Sequence, residues 1–395
     1  MAQEPTEKVT VRFSSWIGAS EPIPTLAKEF EKEHPNITID FEDVPAGRAR
    51  EKLITQVAGG NPPDVAYLDA GSVQDFASRG ALVNLEGYLA GSDVVKGDDF
   101  VDAFAQLATF QDSMYGLPFD GETTGLYYRT DLFEQAGIDA PPTTWEEFEE
   151  TAAALTDPAK KQYGFYLTAV EAAYYWYPWL WQAGGETLTD DGQQIAFDSP
   201  EGQEAANFYV GLRKYAPPDY LATDSYTGRV SFAQGKAAMY VAGNWLSGDL
   251  HVNFPDIDDK WATAPMPEGP AGCATTFAGD TLVMFEQSEN QDAAWLWMEF
   301  LSQPENVALW TFKNEGSSLL PPRESLLNSD EFQSDPALKG FADAMACAVT
   351  SDVVQPKWPE VEEKLNAALG DAIYGDITPE QALQDAAEEG QKILD

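Results

Sequence analysis

Histidine and cysteine are almost missing from this sequence. Its 395 residues include only His34, His251, Cys273 and Cys347 of these two types. His34 precedes a proline and His251 lies in a polar segment, so neither has the sequence context of a catalytic triad. The sequence also lacks an HExxH motif, a CxxC pair, a Walker loop and a GxGxxG motif after a strand. These absences remove the usual signals of zinc, redox and nucleotide chemistry, and no cofactor is predicted.

Basic residues and long apolar runs are also scarce. There are 23 Lys and Arg against 66 Asp and Glu, which gives a net charge of −43. A field of this sign repels phosphate backbones and anionic lipids, so nucleic acid and membrane surfaces are disfavoured as partners. An excess of acidic residues suits a salty habitat, where salt screens the repulsion between the carboxylates. An ordinary acidic protein from a low-salt habitat would have the same composition. No apolar run approaches the ~18 residues that a membrane-spanning helix needs.

What the sequence does contain is an alternation of strand and helix patterns. The periodicity predicts strands over 8–14, 37–41 and 65–68, with helices over 24–33 and 48–58 between them. This order is typical of a largely parallel sheet with helices on its faces, whose ligands meet the carboxyl ends of the strands. A second α/β series begins after Pro118 without a low-complexity linker. The chain is too long for one ordinary core and fits two lobes.

Nine short segments follow one another in a recognisable order along nearly the whole chain. They are FEKEHPNI at 30–37, GNPPDV at 60–65, YGLP at 115–118, GLYYRTDLF at 125–133, PTTWEEF at 142–148, GKAAM at 235–239, GNW at 243–245, APMP at 264–267 and LPPR at 320–323. Together they resemble the extracellular solute-binding proteins that deliver sugars to ABC importers, the family that includes maltose-binding protein. Each segment alone is a weak signal, and the specificity lies in their common order.

This resemblance implies an α/β periplasmic-binding-protein fold of type II. Each of two lobes would be a mostly parallel sheet flanked by helices, with three crossings between the lobes. Lobe one would comprise 1–117 and 271–322, and lobe two 118–270 and 323–395. A carbohydrate (a mono-, di- or oligosaccharide, polyol or glycoside) would lie between the lobes, and hinge closure would exclude water.

The resemblance also implies how the protein works in the cell. It would be a monomer and not an enzyme, and its partner would be the transmembrane permease of an ABC importer. Its place would be the periplasm or the outer cell surface, with the leader or lipid anchor of such proteins already removed from the mature chain.

Aromatic residues are the first group of binding candidates, because tyrosine and tryptophan rings stack on the apolar faces of sugars. The segment 174–181 holds six aromatic residues, and its Tyr-x-x-Tyr-Pro register matches a cleft segment of the family, although a core helix would show the same stripe. The resemblance places a stacking tryptophan at the GNW segment. The aromatic candidates are Trp16, Tyr174, Tyr175, Tyr177, Trp245 and Trp358.

Polar candidates would accept or donate hydrogen bonds around the rim of a sugar. They lie on the predicted loops and crossings, and they are Ser15, Asp69, Asp120, Glu122, Gly279, Asp280 and Arg323. The two acids after the first crossing could instead be solvated hinge carboxylates. Arg323 could bind a hydroxyl or carboxylate of the ligand, or form a structural ion pair with Asp280. Leu68 replaces a tryptophan of maltose-binding protein, which argues against maltose specificity.

Two other functions are compatible with parts of this sequence. A glycosidase would use the same pair of carboxylates and the same aromatic platforms. A calcium-loaded adhesion protein would use acidic segments such as 256–259, but these lack the alternating ligand spacing of a dedicated calcium site.

Cys273 and Cys347 fit either one disulfide or two buried thiols. The export that the resemblance implies favours the disulfide. With the boundaries given above, this bond would join the two lobes beside the hinge.

Overall fold

Strands and helices alternate through the computed structural model, which describes residues 2–18, 20–189, 191–218, 227–314, 316–350 and 355–395. The strands are β1 Val9–Ser15, β2 Ile37–Asp43, β3 Val65–Asp69, β4 Thr109–Phe110, β5 Ser113–Met114, β6 Gly116–Arg129, β7 Tyr163–Phe165, β8 Ala237–Gly243, β9 Trp261–Ala264, β10 Thr275–Met284 and β11 Ala348–Thr350.

The helices lie between these strands and after the last of them. They are α1 Ile23–Glu33, α2 Ala46–Ala58, α3 Gly71–Ser78, α4 Glu86–Leu89, α5 Asp102–Leu107, α6 Thr130–Ala136, α7 Trp145–Ala154, α8 Ala172–Gln182, α9 Pro200–Gly211, α10 Thr227–Ala233, α11 Trp245–Asn253, α12 Gln291–Leu301, α13 Pro304–Ala308, α14 Glu324–Leu327, α15 Asp330–Gln333, α16 Pro336–Ala344, α17 Trp358–Tyr374 and α18 Pro379–Leu394.

The chain divides into two units that exchange segments. The first unit is Met1–Gly121, Ala278–Asp335 and Val354–Pro356, and the second is Glu122–Phe277, Pro336–Val353 and Lys357–Asp395. The three main changes from one unit to the other come somewhat later in the chain than the boundaries that the sequence suggested.

The sheet of the first unit has the strand order β2-β1-β3-β10. β2, β1 and β3 run parallel, and the end of β10 pairs antiparallel with β3 in the register Asp280–Asp69 to Met284–Val65. Apolar side chains alternate along β1, so that Val11 and Phe13 are fully buried against α1 and α12. The predicted β-α-β-α-β order is confirmed, and it brings the carboxyl ends of β1 and β3 to one edge.

The sheet of the second unit is mixed and not mostly parallel. β7 and β8 run parallel, whereas β6 pairs antiparallel with both β8 and β9. β6 also begins at Gly116, earlier than the predicted start of the second α/β series after Pro118. Glycine and polar residues at 120–124 resemble a loop in sequence, but Thr123 and Thr124 are buried and hydrogen-bonded, so the strand continues through them.

A disulfide joins Cys273 and Cys347, whose Cα atoms are 6.0 Å apart. Both residues belong to the second unit. The start of β10 pairs in parallel with β11, from Thr275 and Ala348 onward, and this register brings the preceding cysteines to the same end of the two strands. The expectation that the bond spans the lobes is therefore wrong, because the chain returns to the first unit only at Ala278.

No helix in the described ranges is long and apolar enough to cross a bilayer.

Candidate functional site

The first unit gathers polar and aromatic side chains near the carboxyl ends of its parallel strands. We call this set the first patch, and its members are Trp16, Tyr67, Asp69, Asp120, Asp280 and Trp310. Tyr67 and Asp69 are two residues apart on β3 and therefore point to the same face of the sheet. Asp280 on β10 is paired in register with Asp69, which adds a second carboxylate to that face.

A single hydroxyl connects two of these carboxylates. The Oη of Tyr67 lies 2.9 Å from Oδ2 of Asp120 and 2.8 Å from Oδ2 of Asp280. The indole Nε1–H of Trp310 also donates to Oδ2 of Asp120. A phenol has only one proton to donate, so both contacts are favourable only when one of the two carboxyl groups is protonated.

Burial changes the proton affinity of this group. Asp120 is only 1% exposed, and its desolvation raises its pKa from 3.8 to about 6, against the opposing hydrogen bonds from Trp310 and Tyr67. Burial and the nearby carboxylates raise the pKa of Tyr67, so the phenol remains a neutral donor. Burial also raises the pKa of Asp69, whose carboxylate accepts hydrogen bonds from the backbone N–H and the hydroxyl of Ser72.

Three further sequence candidates of the first unit, Trp16, Ser15 and Gly279, lie at or beside the hydrogen-bonded carboxylates of the first patch. Trp16 is partly exposed, and its ring meets the Tyr67 ring edge-on at 4.6 Å between centroids. Ser15 is buried and uses its hydroxyl to accept the backbone N–H of Ile17, which fixes the turn that carries Trp16. Gly279 is buried beside Asp120, where a β-carbon would lie 3.3 Å from the Asp120 carbonyl oxygen.

The second unit brings together a carboxylate and two aromatic rings. We call Glu122, Tyr174, Gly243 and Trp245 the second patch. The hydroxyl of Tyr174, near the start of α8, donates to Oε1 of Glu122 on β6. A β-carbon at Gly243 would lie 2.1 Å from Oε2 of Glu122 and 2.6 Å from Cδ1 of Trp245, so the carboxylate and the indole approach the same point. Glu122, Tyr174 and Trp245 are all partly exposed.

The turn that presents Trp245 is held by buried polar groups. Trp245 is the first residue of α11 and follows the end of β8 after a single residue, Asn244. The side-chain oxygen of Asn244 accepts the backbone N–H of Thr123 at 2.9 Å. The hydroxyl of Tyr127 lies 3.0 Å from the carbonyl oxygen of Gly243. Because both anchors belong to β6, the strand that carries Glu122 also fixes the position of Trp245.

Three aromatic candidates of the second unit lie in its core. Tyr175 is buried with its ring parallel to Tyr240. Tyr177 is fully buried, donates to Glu362 at 2.7 Å and stacks on Trp181. Trp358 is 3% exposed and packs edge-on against Phe197. Residues 175, 177 and 358 are therefore packing residues in this structure, because α8 and α17 turn these side chains inward.

Arg323 is also buried, and its partner differs from the predicted one. Nη1 of Arg323 lies 3.1 Å from Oδ2 of Asp99, Nη2 donates to the carbonyl oxygen of Ser302, and the guanidinium covers the ring of Phe100. Of the two alternatives for Arg323, a structural ion pair therefore forms, but its partner is Asp99 and not Asp280. The side chain that could have bound a ligand is used instead to hold loops of the first unit together.

Sequence reasoning missed two members of the first patch. Tyr67 could have been found, because it precedes Asp69 by two residues on a predicted strand and so shares its face. Trp310 carried no such signal, since it lies in the helical segment after α13, far from Asp120 in the chain.

In the described parts of the chain, no group of three or more acidic, histidine or cysteine residues has a geometry that could hold a metal ion.

The chain matches the family model described as bacterial extracellular solute-binding protein over residues 15–308. A relative from Brucella abortus (strain 2308) is 31% identical, with 93% of this chain and 89% of that relative covered. The maltotriose-binding protein of Pyrococcus abyssi is 25% identical, with 89% of this chain and 75% of that protein covered. The proteins of this family bind substrates and are not enzymes, which argues against the glycosidase alternative.

A solved structure shows the same relationship in three dimensions. The ABC transporter solute-binding protein of Thermotoga lettingae TMO, bound with α-D-tagatose, superposes with a TM-score of 0.91 and 28% identity, covering 99% of this chain and 100% of that one. The predicted α/β fold class of periplasmic sugar-binding proteins is thereby confirmed. The family acts outside the cytoplasm. This chain therefore belongs to the bacterial extracellular solute-binding proteins and carries the fold of their carbohydrate-binding members.

Proposed function

We propose that this protein binds a neutral sugar or polyol and delivers it to the permease of an ABC importer. The observation that carries the proposal is the second patch, where a carboxylate and an indole ring converge on one point. A sugar ring offers an apolar face for the indole and a rim of hydroxyls for the carboxylate.

In the second patch, Trp245 would stack on a sugar face and Glu122 would accept a hydrogen bond from a hydroxyl. Tyr174 already donates to Oε1 of Glu122, which fixes the carboxylate before the ligand arrives. Preorganisation of this kind reduces the entropy that is lost when the ligand binds.

In the first patch, Asp120 would accept a hydrogen bond from a ligand hydroxyl. Its Oδ2 receives Tyr67 and Trp310, but its buried Oδ1 has no hydrogen-bond partner among the described residues. A buried acceptor without a partner is costly, and a ligand hydroxyl would relieve that cost. Asp69 and Asp280 would extend the hydrogen bonding, and the partly exposed ring of Trp16 would border the ligand.

The remaining sequence candidates would act indirectly. Ser15 and Gly279 would shape the backbone beside the first patch, and the buried side chains of Tyr175, Tyr177, Arg323 and Trp358 would support the two units without touching the ligand. The protein would work as a monomer in the periplasm or at the outer cell surface, and the Cys273–Cys347 bond suits such an oxidising place.

A thermal-shift screen against sugars and polyols tests this function. Matched pairs such as glucose and glucose 6-phosphate should be included, because the net charge of −43 disfavours anionic ligands. At a ligand concentration of ~100 Kd the native state gains about 2.7 kcal/mol, so a neutral ligand should raise the melting temperature clearly. The absence of any shift across a panel from monosaccharides to trisaccharides and polyols would contradict the proposal, as would the release of new reducing ends.

A further inference from the structure

Gly243 is a glycine that its backbone conformation does not require. It is the last residue of β8, and it is absent from the glycines with a positive φ. A residue with a side chain could therefore adopt its backbone angles without strain. The reason for a glycine at this position must be space.

The space beside Gly243 is filled by the second patch. A β-carbon there would lie 2.1 Å from Oε2 and 2.7 Å from Cδ of Glu122, and 2.6 Å from Cδ1 of Trp245. These separations are far inside the ~3.5 Å at which carbon and other heavy atoms make favourable contact. A methyl group at residue 243 would therefore compete directly with the Glu122 carboxylate for its place.

The neighbours that would collide differ in how freely they can move. The carboxylate is the far end of a flexible side chain, whereas Trp245 follows a turn that Thr123 and Tyr127 hold. The Glu122 carboxylate would therefore yield most, although the Trp245 ring, whose Cδ1 would lie 2.6 Å from the new carbon, would also have to shift. In yielding, the carboxylate would lose the geometry in which Oε1 accepts the Tyr174 hydroxyl.

We propose that Gly243 is a positioning residue for ligand affinity, because its missing side chain lets the Glu122 carboxylate lie against Trp245. This inference rests on the proposed function of the second patch, but it adds a residue that would never touch the ligand. It also predicts an unusual separation of effects, since a methyl group at residue 243 would damage binding much more than folding.

The test is a double-mutant cycle with a sugar from the thermal-shift screen. Gly243→Ala should weaken the affinity measured by calorimetry about 10-fold or more and change the melting temperature of the free protein by less than about 2 °C, since only the partly exposed side chains of Glu122 and Trp245 have to move. In a Glu122→Ala background the same substitution should weaken the affinity clearly less than in the wild type, because the displaced carboxylate is already gone and only the Trp245 ring still has to shift.

The control is Gly340→Ala in α16, where a β-carbon would meet nothing within 4 Å and the affinity should not change. Crystals of the ligand-free Gly243→Ala variant give a second readout, in which Oε2 of Glu122 should be displaced by about 1 Å or more, given the normal contact distance. An unchanged affinity in Gly243→Ala, an equal loss in both backgrounds, or an unmoved carboxylate would overturn the inference. If the wild-type protein bound no sugar, the proposed function would fail instead, and the crystal readout would still decide the positioning claim.

Discussion

The first patch holds three carboxylates beside the buried hydroxyl of Tyr67, whereas the second holds one carboxylate beside two partly exposed rings. Asp120 in the first patch is 1% exposed and already accepts two hydrogen bonds from the protein. Tyr174 and Trp245 in the second patch are partly exposed, and a single carboxylate lies beside them. One patch offers buried hydrogen-bonding capacity, and the other offers contact area.

This difference suggests a division of tasks. Area burial and stacking supply affinity with little dependence on the identity of the sugar. A buried acceptor atom that still lacks a hydrogen-bond partner, such as Oδ1 of Asp120, makes binding selective between ligands. A ligand without a hydroxyl in the matching position leaves this acceptor unsatisfied. The second patch should therefore determine how tightly ligands bind, and the first patch should determine which ligands bind.

The largest effect is expected from Trp245→Ala, which removes the main ring surface of the second patch. Truncation of a central aromatic side chain costs about 2 kcal/mol or more, or ~30-fold in affinity. Calorimetric titration with several sugars should show a similar loss for each of them. Trp358→Phe is the matched control, since the buried Trp358 should affect the melting temperature and leave the affinity unchanged. Equal affinities for wild type and Trp245→Ala would remove this ring from the site.

The next effect concerns the first patch. Asp120→Asn should weaken binding about 10-fold, because a hydrogen bond to a charged acceptor contributes about 1.5 kcal/mol or more. The loss should vary between sugars that differ in the orientation of one hydroxyl, which calorimetry with epimers would reveal. Asp64→Asn is the control: Asp64 is also buried in the first unit but accepts the backbone N–H of Arg12, so only stability should change. A uniform loss across epimers would contradict the selectivity of this patch.

A smaller effect is expected from Tyr174→Phe, which keeps the ring and removes the hydroxyl that orients Glu122. The loss of one hydrogen bond should weaken affinity about 3-fold to 5-fold. Tyr177→Phe removes the hydroxyl that donates to Glu362 in the core, and its affinity should equal that of the wild type. If both variants bound with the same affinity, Tyr174 would be a packing residue as well.

The smallest effect is a pH dependence of stability that only the first patch should show. The pKa of Asp120 is raised from 3.8 to about 6, so between these pH values the folded chain holds a proton that the unfolded chain has released. The free energy of unfolding therefore falls as the pH rises through this window. Urea unfolding at several pH values should show that the wild type loses stability relative to Asp120→Asn between pH 4 and 6, as the pKa shift requires. A constant difference would show that Asp120 ionises normally.

The comparison of the patches also shows what the sequence could predict. Trp245 lies in one of the short segments with a recognisable order, and β1, β2 and β3 lie close to their predicted positions. These features depend on periodicity and on neighbours in the chain, which a sequence displays directly.

Other features depend on contacts between distant segments. The Trp310–Asp120 hydrogen bond joins residues that are 190 positions apart in the chain, and no local pattern indicates it. The aromatic stripe of α8 showed that rings were present, but only packing shows that Tyr177 points inward and Tyr174 reaches Glu122. Arg323 was misassigned for the same reason, because Asp99 is a partner that sequence spacing does not reveal.

Trp245 of the second patch and Asp120 of the first patch should each contribute to carbohydrate affinity. The most direct measurement is calorimetric titration of a single sugar from the thermal-shift screen into wild type, Trp245→Ala and Asp120→Asn. Both substitutions should weaken the affinity for this sugar, Trp245→Ala by about 30-fold and Asp120→Asn by about 10-fold. Full affinity in either folded variant would show that its patch does not bind the ligand and would contradict the account.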